Sequence, residues 1–299
     1  MSDNVKESVR VLLSEIVDYA GLFPPAALSM PEAVINYATY KNSNYKWMLG
    51  RFILSVDRLD EFLESAADFI SRADEPWKLS VLAGEDIYAA IRKIEEFNAA
   101  NAPRAVIDCI EVKADDASQI DKIVEAMPNG SQTYFEIPIG MELAELAVNL
   151  ALKSQRAKLR TGGTTPEAFP PVKMITRFIR TCIAANVPFK ATAGLHHPVR
   201  CYKPLTYEAE APEGMMNGFL NLFLAVGFAR AGFKPGLIEE ILEDEFVENF
   251  EFDAGGVLWR QEHYLNTHLL KILREKNITS FGSCSFEEPI ADLREIGLL

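Results

Sequence analysis

The chain has 299 residues, 48% of them hydrophobic, and a formal net charge of −13. This length suits one large barrel or two small domains, and the apolar share excludes an intrinsically disordered chain. The acidic balance argues against sequence-independent binding to nucleic acid, which needs a basic surface, and against attachment to an anionic membrane. We therefore predict neither nucleic acid nor a membrane as a partner.

The compartment is predicted from the start of the chain and from its cysteines. Residues 1–7 are polar and of mixed charge, which is not the pattern of a signal peptide. No apolar run reaches the roughly 18 residues that a membrane span needs. The four cysteines have no CxxC spacing and are typical of free thiols in a reducing compartment. These features predict a cytoplasmic protein, and they leave a homo-oligomer open.

Strand-type apolar segments alternate with helical patterns along the chain, as judged from periodicity and from turn residues. A helix near 4–17 and another near 31–41 come first. The predicted strands that follow are 47–56, 78–83, 104–112, 132–138, 156–161, 188–195, 248–254 and 278–284. The predicted helices between and after them are 58–72, 85–99, 116–127, 141–153, 168–186, 213–231, 257–276 and 287–296.

Eight strand–helix pairs in about 250 residues predict an α/β fold, the (βα)8 TIM barrel. We interpret residues 1–299 as a single domain, with an N-terminal helical extension over 1–46 and the barrel over 47–299. The extension, which includes Asp18 to Ala26, would plug the bottom of the barrel or fold over its top. The alternative is a doubly wound open sheet, against which there is no GxGxxG after the first strand.

Strand parity predicts which side chains enter the barrel, because successive residues face opposite sides and the helix-facing side must be apolar. Asp108 and Glu111 have opposite parity, so only one of them faces inward unless Glu111 already lies in the loop. The predicted inward residues are Arg51, Ser55, Ser80, Asp108 or Glu111, Glu136, Lys158, Arg160, Lys190, Thr192, Glu251 and Asp253.

Two of these strands carry lysine where a barrel core is normally apolar, in segments 157–163 and 189–197. Unpaired buried cations are costly, so an anion is expected to meet them. A Lys190 ammonium beside Lys158 would have a lowered pKa, which would make Lys190 a nucleophile for a carbonyl carbon. The simpler interpretation is an ion pair with Glu136, and the whole lumen would then be a self-satisfied salt-bridge network.

His196 and His197 follow the sixth predicted strand, where a histidine can transfer protons or bind a metal. Adjacent side chains diverge, so we expect one of the two to serve the site. With Lys190, Lys158 and Glu136 they form the predicted catalytic set. Cys284, at the end of the eighth strand, is a lesser candidate nucleophile.

Glycine-rich loops after strands predict anion binding through backbone N–H groups. They lie at 161–165, 254–256 and 281–285, and the loops after strands seven and eight are the usual phosphate site of a barrel. The predicted substrate-binding residues are Arg51, Arg160, Thr161, Gly162, Gly163, Thr192, Gly282 and Ser283.

The carboxylates offer a metal-dependent alternative. Oxygen ligands from Asp108, Glu136 and Asp253 would suit Mg²⁺ or another divalent ion, although their spacing is not diagnostic. The first interpretation, with a lysine nucleophile, requires no cofactor.

The motif Lys-x-Arg-Thr-Gly-Gly at 158–163, followed by Lys-Ala-Thr-Ala-Gly at 190–194, resembles the barrel lysine segments of class I aldolases such as deoxyribose-phosphate aldolase. The resemblance covers two short strands. It implies Lys190 as the Schiff-base lysine and Lys158 as its cationic neighbour, whereas the His-His-Pro extension departs from that pattern. There is also a partial likeness to the enolase group, in which barrel acids and lysines face one another.

These observations predict a barrel enzyme acting on a small anionic carbonyl substrate, a carboxylate or a phosphate ester. The predicted reaction class is a carbon–carbon lyase or an isomerase. Metal-dependent enolisation or hydrolysis in the same barrel is the alternative. A third interpretation is a non-catalytic barrel that binds an anion.

Overall fold

The computed structural model describes residues 5–72, 74–128 and 132–299. Its first half contains α1 Glu7–Leu13, β1 Val17–Tyr19, α2 Met30–Lys41, β2 Leu49–Ser55, α3 Leu59–Ile70, β3 Trp77–Leu82, α4 Ile87–Asn101, β4 Ala105–Lys113, α5 Ala117–Ala126 and β5 Gln132–Glu136. Its second half contains α6 Leu143–Leu152, β6 Arg156–Arg160, α7 Val172–Ala184, β7 Phe189–Thr192, β8 Cys201–Pro204, β9 Glu213–Met216, α8 Phe219–Arg230, α9 Pro235–Glu243, β10 Phe250–Phe252, β11 Gly256–Trp259, β12 His263–Asn266, α10 Thr267–Lys276, β13 Ile278–Ser283 and α11 Glu287–Glu295.

Eight parallel strands close into a barrel in the order β1, β13, β7, β6, β5, β4, β3 and β2. Helices connect most of the strands and cover the outer face, so the predicted (βα)8 TIM barrel is confirmed. Aromatic side chains fill the layer between the strands and the helices. Phe52 on β2 and Trp77 on β3 pack against Tyr37 of α2 and Phe62 of α3. No helix of the described chain is long and apolar enough to cross a membrane.

The strand that closes the barrel is β1, which lies inside the predicted N-terminal extension. Of the helix predicted near 4–17, residue 4 lies outside the described residues, and the observed helix ends at Leu13. Glu15 then takes a positive φ of 47°, which breaks the helix. Val17 pairs with Phe281 of β13 on one side and with Leu49 of β2 on the other. The 1–46 segment therefore supplies the first barrel strand as well as two helices.

The prediction that 248–254 is a barrel strand is wrong. Phe250–Phe252 is the edge of a separate antiparallel sheet with β11 and β12, which occupies the first half of the region predicted as helix 257–276, whereas α10 occupies the second half. Phe250 and Phe252 are buried, as the prediction expected, but they belong to this separate sheet and not to a barrel strand. The predicted helix 213–231 likewise begins with a strand, β9, which pairs with β8 to form an antiparallel hairpin.

A register shift in β4 resolves the parity conflict between Asp108 and Glu111. Leu79 of β3 pairs with Ile107, whereas the next residue, Ser80, pairs with Cys109. Asp108 is thus skipped as a bulge residue, and an extra residue in one strand changes which way its neighbours face. Consequently the Asp108 and Glu111 carboxylates both contact side chains that face into the barrel, at two different levels along the barrel axis.

Gly50, on β2, is required by the close approach of β1. A Cβ at this position would overlap Asp18 Oδ1 and would lie 3.1 Å from the Val17 carbonyl oxygen. We expect Gly50→Ala to lower the free energy of unfolding by about 1–3 kcal/mol, as overpacking of a tight core does. Urea unfolding measures this. Gly236→Ala is the control, since its Cβ would meet nothing within 4 Å, and equal effects of the two substitutions would contradict the close packing.

Candidate active site

A cavity of about 300 Å³ lies at the carboxyl ends of the barrel strands. Its wall is built largely from residues that directly follow strands β1, β6, β7 and β13, which is the face where TIM barrels bind their ligands. The lining comprises Ala20, Phe23, Pro24, Pro25, Ile53, Leu82, Glu111, Lys158, Arg160, Gly163, Thr164, Thr192, Ala193, Gly194, His196, Gly282 and Cys284. The segment after β1 thus forms one wall of the cavity.

Below the cavity, side chains of alternating charge form a continuous chain across the barrel. Lys190 Nζ lies 2.6 Å from Asp18 Oδ2 and 2.7 Å from Glu111 Oε1. The other Glu111 oxygen, Oε2, lies 2.7 Å from Lys158 Nζ. Lys158 Nζ also lies 3.0 Å from Glu136 Oε2. The chain ends at Arg160, whose Nε lies 2.9 Å from Glu136 Oε1. We call these six side chains the ionic network.

Serine hydroxyls and a backbone amide complete the coordination of the two most buried carboxylates. Ser80 donates a 2.6 Å hydrogen bond to Glu111 Oε1, and Ser280 donates one of 2.8 Å to Asp18 Oδ2. The Arg51 N–H donates to Asp18 Oδ1 at 2.8 Å. Buried carboxylates need such donors, because an unsatisfied buried oxygen costs the full desolvation penalty of the group.

The ionic network neutralises itself, since its three cations face three carboxylates. Burial raises the pKa of the Asp18 and Glu111 carboxyls, but the lysine charges outweigh burial and the net pKa of each is lowered. Burial lowers the pKa of Lys190, yet Asp18 and Glu111 raise it well above its ordinary value. The predicted lowered pKa of Lys190 is therefore wrong, because that prediction placed Lys190 beside Lys158 without the Asp18 and Glu111 carboxylates. In the alternative, Lys190 paired with Glu136, but Glu136 pairs with Lys158 instead.

Lys190 and Lys158 differ in their access to the cavity. Lys190 is 1% exposed and does not line the cavity, whereas Lys158 does. Arg160 also lines it, with 49% of its side chain exposed. The two lysine segments do converge, since Lys158 and Lys190 are paired neighbours on β6 and β7. Within the ionic network, Lys158 and Arg160 are therefore the cations that a ligand in the cavity can reach.

A histidine–carboxylate pair stands at the rim of the cavity. His196 Nδ1 lies 2.8 Å from Glu288 Oε2 of α11, and the same oxygen accepts a 2.9 Å hydrogen bond from Tyr207. The Tyr207 hydroxyl also lies 3.6 Å from Cys284 Sγ, which lines the cavity. Since Nδ1 of His196 is engaged, its Nε2 edge is left for a ligand, which is the usual arrangement of a proton-transferring histidine.

His197 and Arg51 have other partners. His197 Nδ1 lies 2.6 Å from Asp292 Oδ2, and His197 does not line the cavity. Arg51 makes a two-pronged ion pair with Asp108, at 2.6 Å and 2.8 Å, and is likewise not among the lining residues. Arg51 is thus held by Asp108 away from the cavity wall, whereas Arg160, which also pairs with Glu136 through two N–H groups, does line the cavity.

The predicted substrate-binding residues divide into two groups. Arg160, Gly163, Thr192 and Gly282 line the cavity. Thr161 and Ser283 are buried behind the wall, where the Thr161 hydroxyl donates to the Ala193 carbonyl oxygen at 2.6 Å. Gly162 is covered by the Phe169 ring, which a Cβ would overlap.

The carboxylates predicted on strand 248–254 are not in the barrel lumen. Glu251 is exposed on β10. Asp253 Oδ1 accepts hydrogen bonds of 2.7 Å from the N–H groups of Gly255 and Gly256, so the 254–256 loop is a turn of the antiparallel sheet and not a barrel phosphate site. The alternative magnesium set of Asp108, Glu136 and Asp253 does not come together, and the described residues hold no other group of three or more metal-ligating side chains.

Sequence reasoning missed Asp18, Glu288 and Tyr207. The sequence does contain a signal for Asp18, because this residue is a single carboxylate between Ile16-Val17 and Tyr19. All four residues are buried. Glu288 and Tyr207 lie on a helix and in a loop, and nothing in their local pattern distinguishes them from surface residues. Comparison of the chain with protein-family models, with curated proteins and with solved structures gives no match.

The lowered pKa values of Asp18 and Glu111 predict a loss of stability in acid. The ordinary values are 3.8 and 4.5, so their contribution is fully present above about pH 4.5 and is lost as the pH falls through the lower folded values. We expect the free energy of unfolding in urea to fall less steeply below pH 4.5 in Glu111→Gln than in the wild type. Glu64→Gln, an exposed substitution on α3, should keep the wild-type slope. Equal slopes for Glu111→Gln and the wild type would refute the assignment.

Proposed function

We propose that this protein is an enzyme that forms a Schiff base between Lys158 and a small anionic carbonyl compound, as a carbon–carbon lyase or an isomerase. The observation that carries the proposal is one cavity lined by a lysine, a half-exposed arginine and a histidine whose other ring nitrogen contacts a carboxylate. The TIM barrel is a fold on which enzymes are commonly built, with the active site at this face. The resemblance to class I aldolases covers only the two lysine strands, and it implies Lys190 rather than Lys158 as the Schiff-base lysine.

Lys158 replaces Lys190 as the proposed nucleophile because of its access to the cavity. To attack, Lys158 Nζ first gives a proton to Glu136, 3.0 Å away, because Lys190 holds Glu111 in its ionised form. The neutral amine then adds to the carbonyl carbon to give a carbinolamine. Glu136 returns its proton to the carbinolamine hydroxyl, which leaves as water, and the nitrogen remains as an iminium ion. The iminium has the same positive charge as the ammonium it replaces, so the carboxylates 2.7 Å and 3.0 Å from Nζ would stabilise it as well. Lys190 would keep Glu111 ionised and in place.

The other lining groups have roles that follow from their positions. Arg160 would bind the carboxylate or phosphate of the substrate with a charge-assisted hydrogen bond, since half of its side chain is free of the protein. The Nε2 edge of His196, with Glu288 holding the other ring nitrogen, would move a proton at the substrate carbon or hydroxyl next to the iminium. This chemistry needs no cofactor, because the chain supplies the nucleophile and the proton-transfer groups.

A second candidate function is non-catalytic anion binding, which the half-exposed Arg160 on the cavity wall favours. A network that neutralises itself is stable without any chemistry at Lys158. In that case Lys158→Met would leave ligand affinity measurable, and no covalent adduct would form with any carbonyl compound.

The test of anion binding is Arg160→Gln. We expect the affinity for 2-oxo acids or phosphorylated carbonyl compounds, measured by titration calorimetry, to fall roughly 10-fold or more, which corresponds to about 1.4 kcal/mol. Arg58→Gln is the matched control, because Arg58 forms a similar two-pronged pair with Glu61, in the exposed turn that leads into α3. The proposal fails if Arg160→Gln binds these acids as tightly as Arg58→Gln does.

A further inference from the structure

A second cavity, of about 240 Å³, adjoins the first. It lies between the β8–β9 hairpin with its 205–212 loop and the start of α11. Its lining is Pro25, His196, His197, Lys203, Pro204, Leu205, Thr206, Tyr207, Met216 and Glu288. Pro25 and His196 line both cavities. A ligand that reaches His196 from the first cavity is therefore at the entrance of the second.

The polar groups of the second cavity are mostly hydrogen-bond donors. Lys203 offers an exposed ammonium group. The rings of His196 and His197 are 6.4 Å apart, and Nδ1 of each directs its proton at a carboxylate of α11, so Nε2 of each donates to a ligand in the imidazolium form of the ring. The Thr206 hydroxyl is buried and has no hydrogen-bond partner in the described chain. A buried unpaired hydroxyl is costly, and a ligand atom in the cavity would satisfy it.

One carboxylate, that of Glu288, also lines this cavity. Glu288 Oε2 already accepts hydrogen bonds from His196 and from Tyr207. The negative charge of Glu288 is thus directed at these two donors. The remaining lining is apolar, with Leu205 and Met216 available to pack against a short carbon chain.

We propose that the second cavity is the distal subsite of the same ligand and that it binds a second acidic group, a carboxylate or a phosphate. This inference rests on the proposed function, in which the carbonyl end of the ligand reaches Lys158 in the first cavity. Lys203, His197 and Thr206 would bind the distal acid, and the apolar side chains would cover the carbons between the two ends. The substrate class is then a carbonyl compound with an acidic group at each end.

The experiment compares acids with two ends against matched acids with one. The carboxylate arm is 2-oxoglutarate against 2-oxopentanoate, and the phosphate arm is 3-phosphohydroxypyruvate against 3-hydroxypyruvate. In at least one arm we expect the two-ended acid to bind the wild type about 10-fold more tightly, as one added charge-assisted contact would give. The arm that discriminates identifies the distal group.

Variants of the subsite give the second readout. Lys203→Gln should remove the discrimination while changing the affinity for the one-ended acid less than about twofold. Thr206→Val should reduce the discrimination in part. Lys173→Gln, an exposed substitution on α7, is the control and should retain it in full. Equal affinities in both arms, a Lys203→Gln variant that still discriminates, or no saturable binding of any of the four acids would overturn the inference.

Failure of the inference and failure of the proposed function give different results. If a borohydride-trapped adduct forms at Lys158 equally well with one-ended and two-ended acids, the subsite is wrong and the Schiff base stands. If the wild type discriminates between the acids but no adduct forms at Lys158, the subsite stands and the Schiff base is wrong.

Discussion

Lys190→Met is expected to lower the free energy of unfolding by about 3–5 kcal/mol, the usual cost of removing one partner of a buried ion pair. Asp18 and Glu111 are almost fully buried, and both lose a cation at 2.6–2.7 Å. Each carboxylate would remain charged without sufficient compensation or would take up a proton. Urea unfolding at pH 7, followed by circular dichroism, measures the loss.

The matched control is Lys93→Met. Lys93 Nζ also makes a short ion pair, 2.8 Å from Asp57, but both side chains are at least half exposed. Water and salt screen such pairs, so this substitution should change stability little. An effect of Lys190→Met as small as that of Lys93→Met would mean that the buried pairs do not hold the barrel together.

Lys158→Met is expected to reduce turnover roughly 10⁴-fold or more. One positioned proton-transfer group contributes up to about 10⁴-fold, and loss of the nucleophile should cost at least as much. Under the proposed mechanism no iminium ion can form without the Lys158 amine, whereas Arg160 still binds the substrate anion. The loss should therefore appear in kcat rather than in KM. Steady-state kinetics on the carbonyl acid identified by the binding measurements test this.

Lys153→Met serves as the control for turnover. Lys153 follows α6, only five residues before Lys158, and forms an exposed 3.0 Å pair with Asp121. Its kinetics should match those of the wild type. A Lys158→Met enzyme with kcat within about tenfold of the wild type would exclude a covalent role for this lysine.

The barrel and its lysine strands could be predicted from the sequence because their signals are local. Apolar runs and turn residues identify strands without reference to their partners. Alternation within 156–161 and 188–195 correctly placed Lys158 and Lys190 inside the barrel, and parity placed Glu136 and Arg160 beside them. All four belong to the ionic network.

The errors in strand assignment share a physical cause, which is that a short segment does not itself specify the strand with which it pairs. Val17–Tyr19 and Phe250–Phe252 are both three-residue strands, and nothing within either segment says which one closes the barrel. That depends on β13, more than 260 residues after Val17, and on β11, just after Phe252. A segment of three residues is also too short to separate a period of 2 from one of 3.6.

The misplaced strand changed the chemistry assigned to the site. Without Asp18 the two lysines lacked their full set of carboxylates, and an external anion was inferred to balance them. Glu111 was left ambiguous by the register shift at Asp108, which only the pairing with β3 shows. With both carboxylates in place Lys190 is a buried, paired cation, and the lysine available to a ligand is Lys158.

Borohydride trapping followed by peptide mass spectrometry tests the central claim most directly. The protein is incubated with two-ended and one-ended carbonyl acids, reduced and digested, and the modified lysine is located. The account predicts a reduced adduct on the peptide that contains Lys158, absent from Lys158→Met and present in Lys153→Met. An adduct on Lys190, or no adduct on Lys158 with any acid that binds, would contradict it.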